Sequence, residues 1–402
     1  MSDKPYPLAG LKVLDFSRVL AGPFAGRLLS DLGADVVKIE PPDGDITRLW
    51  GRVAGGLAGY YFQQNAGKRN VSLDLRAPGA RALVLELAAK ADVVIENYRP
   101  DVMPRLGVGY QDLKAVNPRL VMLSISGFGQ GGPESHRPAY APIVHAEVGL
   151  HERAARRSGL PPRELPLSVA DTNASLHGLV GLLSALLLRE RTGLGQHIDI
   201  AMLDATVATD DQLQFDIENA QVGGPLPPNI WESGAGPILI SGDFRYVWRL
   251  FTGTLGVPEV STPDMDLPTK IAARRAAAEA FVASLKTWDE VERAMASINV
   301  AWGRVRPAAS VREQPTLIHR RSFVDVDDRA GGVRPVAQSP YRWSNAVSGV
   351  RGPAPYRGEH NRQVLAEWLA KSDADVEALE RAGVLTREPD ALERQGATAD
   401  RG

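Results

Sequence analysis

The chain predicts a two-lobed α/β protein, and three observations carry that prediction. Residues 11–128 alternate short β-branched runs with helical stretches: LKVLDF, AGPFAGRLLSDLG and ADVVKIE, then VSLDL, DVVIEN and LVMLSISGF further along. That rhythm belongs to parallel strands joined by crossover helices. At 402 residues the chain also exceeds the roughly 250 to 300 at which a single core stops growing. The rhythm stops at QVGGPLPPNIWESGAGPILISGD, 221–243, where Gly and Pro mark a boundary.

Taken in order, residues 1–222 form the first lobe, 223–330 a smaller α+β domain, and 331–402 a final segment. The first strand-to-helix turn reads AGPFAG and lacks G-x-G-x-x-G, so the classical dinucleotide fingerprint is missing. An open α/β sheet still binds ligands beyond the carboxyl ends of its strands. Residues 18–23, 41–44 and 97–100 all follow expected strands and converge on one crevice in this reading. In the smaller domain an Ala-rich helix is expected near 269–286. A second helix opens at TWDE, where Thr287 and Glu290 make a capping box. A short helix is expected near 373–382, and the polar tail REPDALERQGATADRG is expected to be poorly ordered.

Composition narrows the function. Lys plus Arg number 46 against 48 Asp plus Glu, a net charge of −2, so no nucleic-acid or membrane-surface partner is indicated. The absence of cysteine excludes disulfides, thiolate catalysis and a Cys-based zinc site, in keeping with a reducing compartment. MSDKPYPLAG has no apolar signal region and no run is long enough to span a membrane. A soluble cytoplasmic protein is the expectation.

The most informative stretch is LPLSVADTNASLHGLVGLLSALLLRERTGLGQHIDIAM, 165–202. It sets Asp171 at the start of a long apolar helix in which Leu176, Leu179, Val180, Leu183, Leu186 and Leu187 recur at helical spacing. The helix should be buried, with Gly178 and Gly181 admitting another backbone. Asp171 is the candidate nucleophile; from these residues alone an N-cap is the commoner role for such an Asp. In QQNAGKRNVSLDLRAPGA, 63–80, Lys68 and Arg69 precede a strand and Arg76 follows it. Such cations suit a phosphate-bearing ligand, and a solvated turn accounts for them equally well. The seven histidines show no H-E-x-x-H or i, i+4 pair, so no metal site is expected. With no G-x-S-x-G between strand and helix, a Ser-His-Asp hydrolase is disfavoured.

Several stretches together resemble the class III CoA-transferase family: LKVLDFSRVLAGPFAGRLLSDLGADVVKIEPP (11–42), NAGKRNVSLDL (65–75), ADVVIENYRPDVMPRLG (91–107), SISGFGQGGPES (124–135), the Asp171 helix with RTGLGQHIDIAMLDA (191–205), and GEHN (358–361). That family includes formyl-CoA transferase, the carnitine CoA-transferases and α-methylacyl-CoA racemase, and the resemblance runs from about residue 7 to about 385. It implies a Rossmann-like large domain built from both chain ends, a small domain, and an interlocked homodimer. It implies coenzyme A or an acyl-CoA as substrate, a small carboxylic acid as acceptor, and no metal or redox cofactor. By motif position the CoA contacts are Leu20, Ala21, Pro41, Leu73, Leu75, Arg76, Asn97, Tyr98, Arg99 and Arg105, with Pro138, Ala139 and Tyr140 closing the pocket. Ala141, His145, Gly234 and Gly236 belong to the acyl end. The family's catalytic aspartate falls at Asp171, which passes through a mixed anhydride to an aspartyl-CoA thioester.

Three departures refine this expectation. Racemases of the family carry a histidine where this chain has Tyr140, and a phenol with an ordinary pKa near 10 is a poor partner for two-base racemisation. The next position, commonly acidic, is Ala141, and the Gln of formyl-CoA transferase is Leu20. Oxalate and formyl-CoA are therefore not expected, and a less polar acyl group, or a dicarboxylic one with a single distal contact, is. An acyl-CoA racemase or isomerase, and a catalytically silent CoA-binding protein, are the alternatives.

Overall fold

The computed structural model describes residues 4–218 and 229–388. The expected boundary at 222/223 and nearly all of the polar tail lie outside them. The chain divides into two compact units, Met1–Val222 with Leu317–Gly402, and Gly223–Thr316. No helix of the described residues is long and apolar enough to cross a membrane.

The first unit is built on a seven-stranded sheet. Its strands are β1 (Lys12–Asp15), β2 (Asp35–Glu40), β3 (Arg69–Leu73), β4 (Val93–Glu96), β5 (Val121–Ser126), β6 (His197–Ala201) and the short β7 (Leu385–Thr386). They lie in the order β7-β3-β2-β1-β4-β5-β6, all parallel except β7, which runs antiparallel to β3. Apart from β7 this is the 3-2-1-4-5-6 order of doubly wound sheets, whose direction of winding reverses between β1 and β4. Register explains why both faces are apolar. Val36, Val13, Val93 and Val121 stand side by side across four strands, and one residue on so do Val37, Leu14, Val94 and Met122. The valine row packs with Leu28, Leu29, Leu179 and Leu182 on one face, while the second row packs with Leu83, Leu87, Leu365 and Trp368 on the other. A strand buried on both faces reads as a continuous apolar run, which is why these strands were visible in the sequence.

Three helices bear on the site: α1 (Ala21–Asp31), α2 (Ala141–Glu147) and α3 (Val169–Thr192). Gly26 lets α1 sit close over β1, since a Cβ there would stand 2.6 Å from Asp15 Oδ2 and 3.1 Å from Lys68 Nζ. Only part of α3 is buried. Ala170, Ala174, Gly178, Leu179, Leu182 and Ala185 face the sheet, whereas Leu176, Val180, Leu183 and Leu187 are exposed by 38 to 66 %. Gly178 and Gly181 make room for the side chains of Leu123 and Ile198 and not for a backbone. The expected burial of this helix is therefore one-sided, because a single sheet face covers only one stripe.

The return of the chain completes the sheet edge. Gly358 N–H donates to Asn70 Oδ1 (2.7 Å), His360 N–H to Asn70 O (3.0 Å), and Ser72 N–H to Asn361 Oδ1 (3.0 Å), so the GEHN segment clasps β3. The hairpin of Phe323–Asp327 and Val333–Ala337 also belongs here, because Val326 and Val336 share a core with Leu57, Tyr61 and Phe62. The first unit thus resumes at Leu317, earlier than the 331 read from the sequence.

The second unit has a three-stranded antiparallel sheet, with Gly236–Ser241 between Ile230–Ser233 and Ala301–Arg304. Helices Phe244–Gly253, Leu267–Ser284 and Trp288–Ser297 accompany it around a core that includes Trp231, Trp248, Phe251 and Met295. The capping box of Thr287 and Glu290 is present.

Beneath α1 the Asp15 and Lys68 side chains pair at 2.8 Å with no solvent exposure. Asp15→Ala is expected to cost about 3–5 kcal/mol by leaving Lys68 buried without its counter-charge. Urea unfolding at pH 7 measures this, and a loss below about 1 kcal/mol would show that the lysine finds another partner or deprotonates.

Candidate active site

The loops at the carboxyl ends of the strands build the site, and the loop between β1 and α1 is held at nearly every backbone group. Ser17 N–H donates to Asp15 (3.0 Å) and Lys38 Nζ donates to Ser17 O (2.7 Å). Asn97 takes both backbone groups of the next residue: Arg18 N–H donates to its Oδ1 (2.7 Å), and its Nδ2 donates to Arg18 O (2.8 Å). Val19, a β-branched residue at φ +68°, occupies a backbone region that costs such a side chain energy. Its N–H donates to Asp45 (3.3 Å), which Lys38 neutralises at 3.1 Å. The loop therefore delivers Ala21, the first residue of α1, to a fixed place.

Asp171 meets it there. It is the third residue of α3, whose N-cap is Ser168, and Ser168 makes no side-chain capping bond. Asp171 is accordingly not an N-cap. The N–H groups of Ala21 and Ala141, the first residues of α1 and α2, and its own N–H pull the pKa of its carboxyl down. Three helix N-termini thus converge on one carboxylate, the end of a helix that favours an anion. Burial nevertheless lifts the carboxyl to about 6, against the pull of those donors. Among the described residues no basic side chain pairs with it. Behind it His145 Nε2 accepts the Ala170 N–H (3.1 Å), and Ser175 Oγ bonds the carbonyls of Ala21 and Asp171.

Asp171 sits in an open cavity of about 520 Å³. Ala21, Asn97, Tyr98, Arg99, Arg105, Pro138, Ala139 and Tyr140 line it, together with Arg18, Ser126, Ser135, Arg137 and Met202. An adjoining cleft of about 400 Å³ shares Arg18, Tyr98 and Arg105 with it and adds Pro41, Leu73, Leu75 and Arg76. The loop segments after β1, β2 and β4 are thereby brought together. Leu20 lines neither cavity; it is buried as the N-cap residue of α1. Ala141 contributes through its N–H, and its side chain is 1 % exposed. Gly234 and Gly236 belong to the second unit, where the hairpin between its first two strands turns.

Other sequence expectations are relocated. Lys68 is no phosphate ligand: it is buried and donates to Asp15, Pro23 O and Asn65. Arg69 opens β3 at the opposite end of the sheet and pairs with Asp35 and Glu367. Of that cluster Arg76 alone lies at the cleft. His145 is 1 % exposed and lies outside the cavity lining, because α2 turns its imidazole toward the first turn of α3. Sequence reasoning missed Ser126, Arg137 and Tyr60. Burial, aided by Asp171 and Asp45, pushes the Tyr60 phenol up to about 12. For Ser126 a signal existed, since it ends β5 at the carboxyl edge of the sheet. Among the described residues no group of three or more His, Asp or Glu side chains is placed to hold a metal ion.

A buried carboxylate at the head of an arginine-bordered cleft suits acyl transfer from a large anionic thioester, and comparison with known proteins names the chemistry. The model of CoA-transferase family III matches residues 8–361. The chain belongs to CoA-transferase family III. It is an enzyme that transfers CoA. The acetyl-CoA:oxalate CoA-transferase of Acetobacter aceti is 39 % identical over 64 % of this chain and 68 % of its own. The succinate–glutarate CoA-transferase of Agrobacterium fabrum (strain C58) is 32 % identical, over 91 % of this chain and 97 % of its own. Among solved structures, a CAIB/BAIF family protein from Brucella suis superposes with a TM-score of 0.79 at 32 % identity, covering 91 % of this chain and all of that one.

The raised carboxyl of this transferase has a measurable consequence. A group whose folded pKa exceeds its unfolded value stabilises the fold at low pH, and that contribution is lost as pH rises through the folded value. For Asp171 the window runs from about 4 to about 6. Asp171→Asn, which carries no charge, is expected to be about 1–3 kcal/mol more stable than the wild type at pH 8 and equally stable at pH 4. Chemical denaturation at the two pH values checks this; equal stabilities at pH 8 would place the carboxyl at its ordinary value.

Proposed function

We propose that the chain is an acyl-CoA:carboxylate CoA-transferase in which Asp171 is the covalent nucleophile. The observation that carries this reading is the Asp171 carboxylate, buried in the cavity lining with backbone N–H groups and no paired cation to favour its charge. A carboxylate so held is ionised above about pH 6 while keeping its electron pair available for attack. The CoA moiety extends along the two adjoining clefts, with Arg76, Arg99 and Arg105 as phosphate partners.

In this reading Asp171 attacks the donor thioester carbonyl, and the C–S bond breaks to give a mixed anhydride and CoA thiolate. The thiolate attacks the aspartyl carbonyl, forming an aspartyl-CoA thioester and releasing the donor acid as its carboxylate. An acceptor carboxylate attacks that thioester to form a second anhydride, and the expelled thiolate takes the acceptor's acyl group, restoring Asp171. Protons and charge balance throughout, so no general acid is required. The Ala21 and Ala141 N–H groups, which favour the charge of the carboxylate, also receive the oxyanion that develops on the same carbonyl. Racemisation needs a second proton carrier. His145 has its Nε2 lone pair committed to Ala170 and Tyr140 is 63 % exposed, which favours transfer.

The named acids of the relatives, glutarate, D-citramalate and oxalate, are dicarboxylic, and we assign this chain a small dicarboxylic acceptor. Oxalate belongs in the test panel as the discriminating member, because Leu20 lines neither cavity and the Ala141 side chain is buried, so neither side chain excludes it. With succinyl-CoA or acetyl-CoA as donor, mass spectrometry is expected to find new acyl-CoA thioesters and an Asp171 adduct trapped by hydroxylamine. Asp171→Ala is expected to lower turnover on the order of 10⁴-fold or more, with CoA affinity nearly unchanged. Transfer by that variant at more than a few per cent of the wild-type rate would remove Asp171 as nucleophile.

We also read the chain as half of an interlocked homodimer. The exposed row Leu176, Val180, Leu183 and Leu187 along α3 is the apolar surface that such a partner covers. Sedimentation at micromolar concentration is expected to show a dimer, with an interface well above the roughly 2,000 Å² upper end of standard complexes. An active monomer would contradict it.

A further inference from the structure

The first turn of α3 lacks the capping side chain that a helix of this length ordinarily carries. Ser168 stands at the N-cap and makes no side-chain bond to the turn above it, so the N–H groups of that turn depend on other partners. One of them, Ala170 N–H, is taken by His145 Nε2 at 3.1 Å. An imidazole accepts only through an unprotonated nitrogen, so His145 is neutral and carries its proton on Nδ1. That Nδ1 is buried and has no hydrogen-bond partner. The ring lies edge-on to His151 at 5.8 Å.

We propose that His145 is a positioning residue for the nucleophile: its neutral imidazole caps α3 from a neighbouring helix and fixes the turn that aims Asp171 at the N–H groups of Ala21 and Ala141. The inference rests on the reading of Asp171 as nucleophile. Its consequence is chemical. A proton on Nε2 would face the Ala170 N–H donor to donor, and the cap would be lost. Catalysis therefore requires two groups without protons, Asp171 to attack and His145 to hold it. The titratable neighbours agree with a neutral ring. Burial, aided by His151 on the helix Leu150–Ser158, holds His145 below the ordinary histidine range. Asp171 lies one residue beyond the bonded Ala170. On His145's own helix Glu147 is committed to Arg137.

The test is the acid limb of kcat/KM between pH 4.5 and 8, measured for the intact enzyme and for two variants. The wild type is expected to lose activity with a limiting slope of two, one proton for each group. His145→Gln keeps an acceptor but cannot be protonated, and is expected to fall with a slope of one. His145→Leu removes the acceptor, and kcat at pH 8 is expected to drop by about tenfold to a hundredfold, as for a misplaced reacting group. KM for the acyl-CoA is expected to stay within about twofold in that variant, and Gln in place of Leu recovers most of the rate. A slope of two retained in His145→Gln, or a wild-type kcat in His145→Leu, would overturn the proposal. Should the Leu variant fold poorly, the Gln slope decides alone. Asp171→Ala assayed in parallel separates the two ideas: if it stays active the nucleophile reading has failed, whereas an inactive Asp171→Ala beside unaffected His145 variants means that only the positioning role has.

Discussion

Everything at this site follows from burying one carboxylate without a cation. Desolvation works against ionising Asp171, and the N–H groups of Ala21 and Ala141 work for it. An arginine in their place would ionise the group more completely but would draw electron density from its oxygens, which the proposed attack needs. Peptide dipoles at helix ends are the intermediate solution: they carry partial charge, they hold no proton to lose, and their direction is set by the fold. The requirement is geometric, since two donors from distant segments of the chain must reach the same oxygens.

Two buried ion pairs meet that requirement. Lys38 with Asp45 and Lys68 with Asp15 lie within the first unit at 3.1 and 2.8 Å, and buried pairs of this kind add little net stability. Their effect is to bond backbone. Lys38 holds Ser17 O, Asp45 holds Val19 N–H, Asp15 holds Ser17 N–H, and Lys68 holds Pro23 O in the first turn of α1. The positive φ of Val19 is maintained by the same bonds. A loop of five residues thus becomes as well determined as a strand, and the Ala21 N–H at its end is fixed with it.

The sheet was legible because its signal is local. Each strand buried on both faces must be an unbroken apolar run, and a helix must repeat near every 3.6 residues, so neither depends on distant partners. The cations were not legible in that way. Lys68, Arg69 and Arg76 look alike in sequence, yet one neutralises a core aspartate, one ties the far end of the sheet, and one borders the cleft. The same holds for α3. Its leucines recur all round the helix, and only the placement of the sheet decides that Leu179 and Leu182 are covered while Val180 and Leu187 are left bare.

Sequence by itself determined the parallel sheet, the helix that carries Asp171, and the loops that border the cleft, because periodicity and strand-end position are properties of short segments. Motif resemblance added the CoA chemistry that composition alone does not contain. Tertiary structure decided the surroundings of Asp171: that it is no N-cap, that the Ala21 and Ala141 N–H groups favour its charge, and that His145 stands behind its helix turn and not in the cavity. Those facts join residues 21, 141, 145 and 171, and only the packing of α1 and α2 around α3 brings such separated groups to one place.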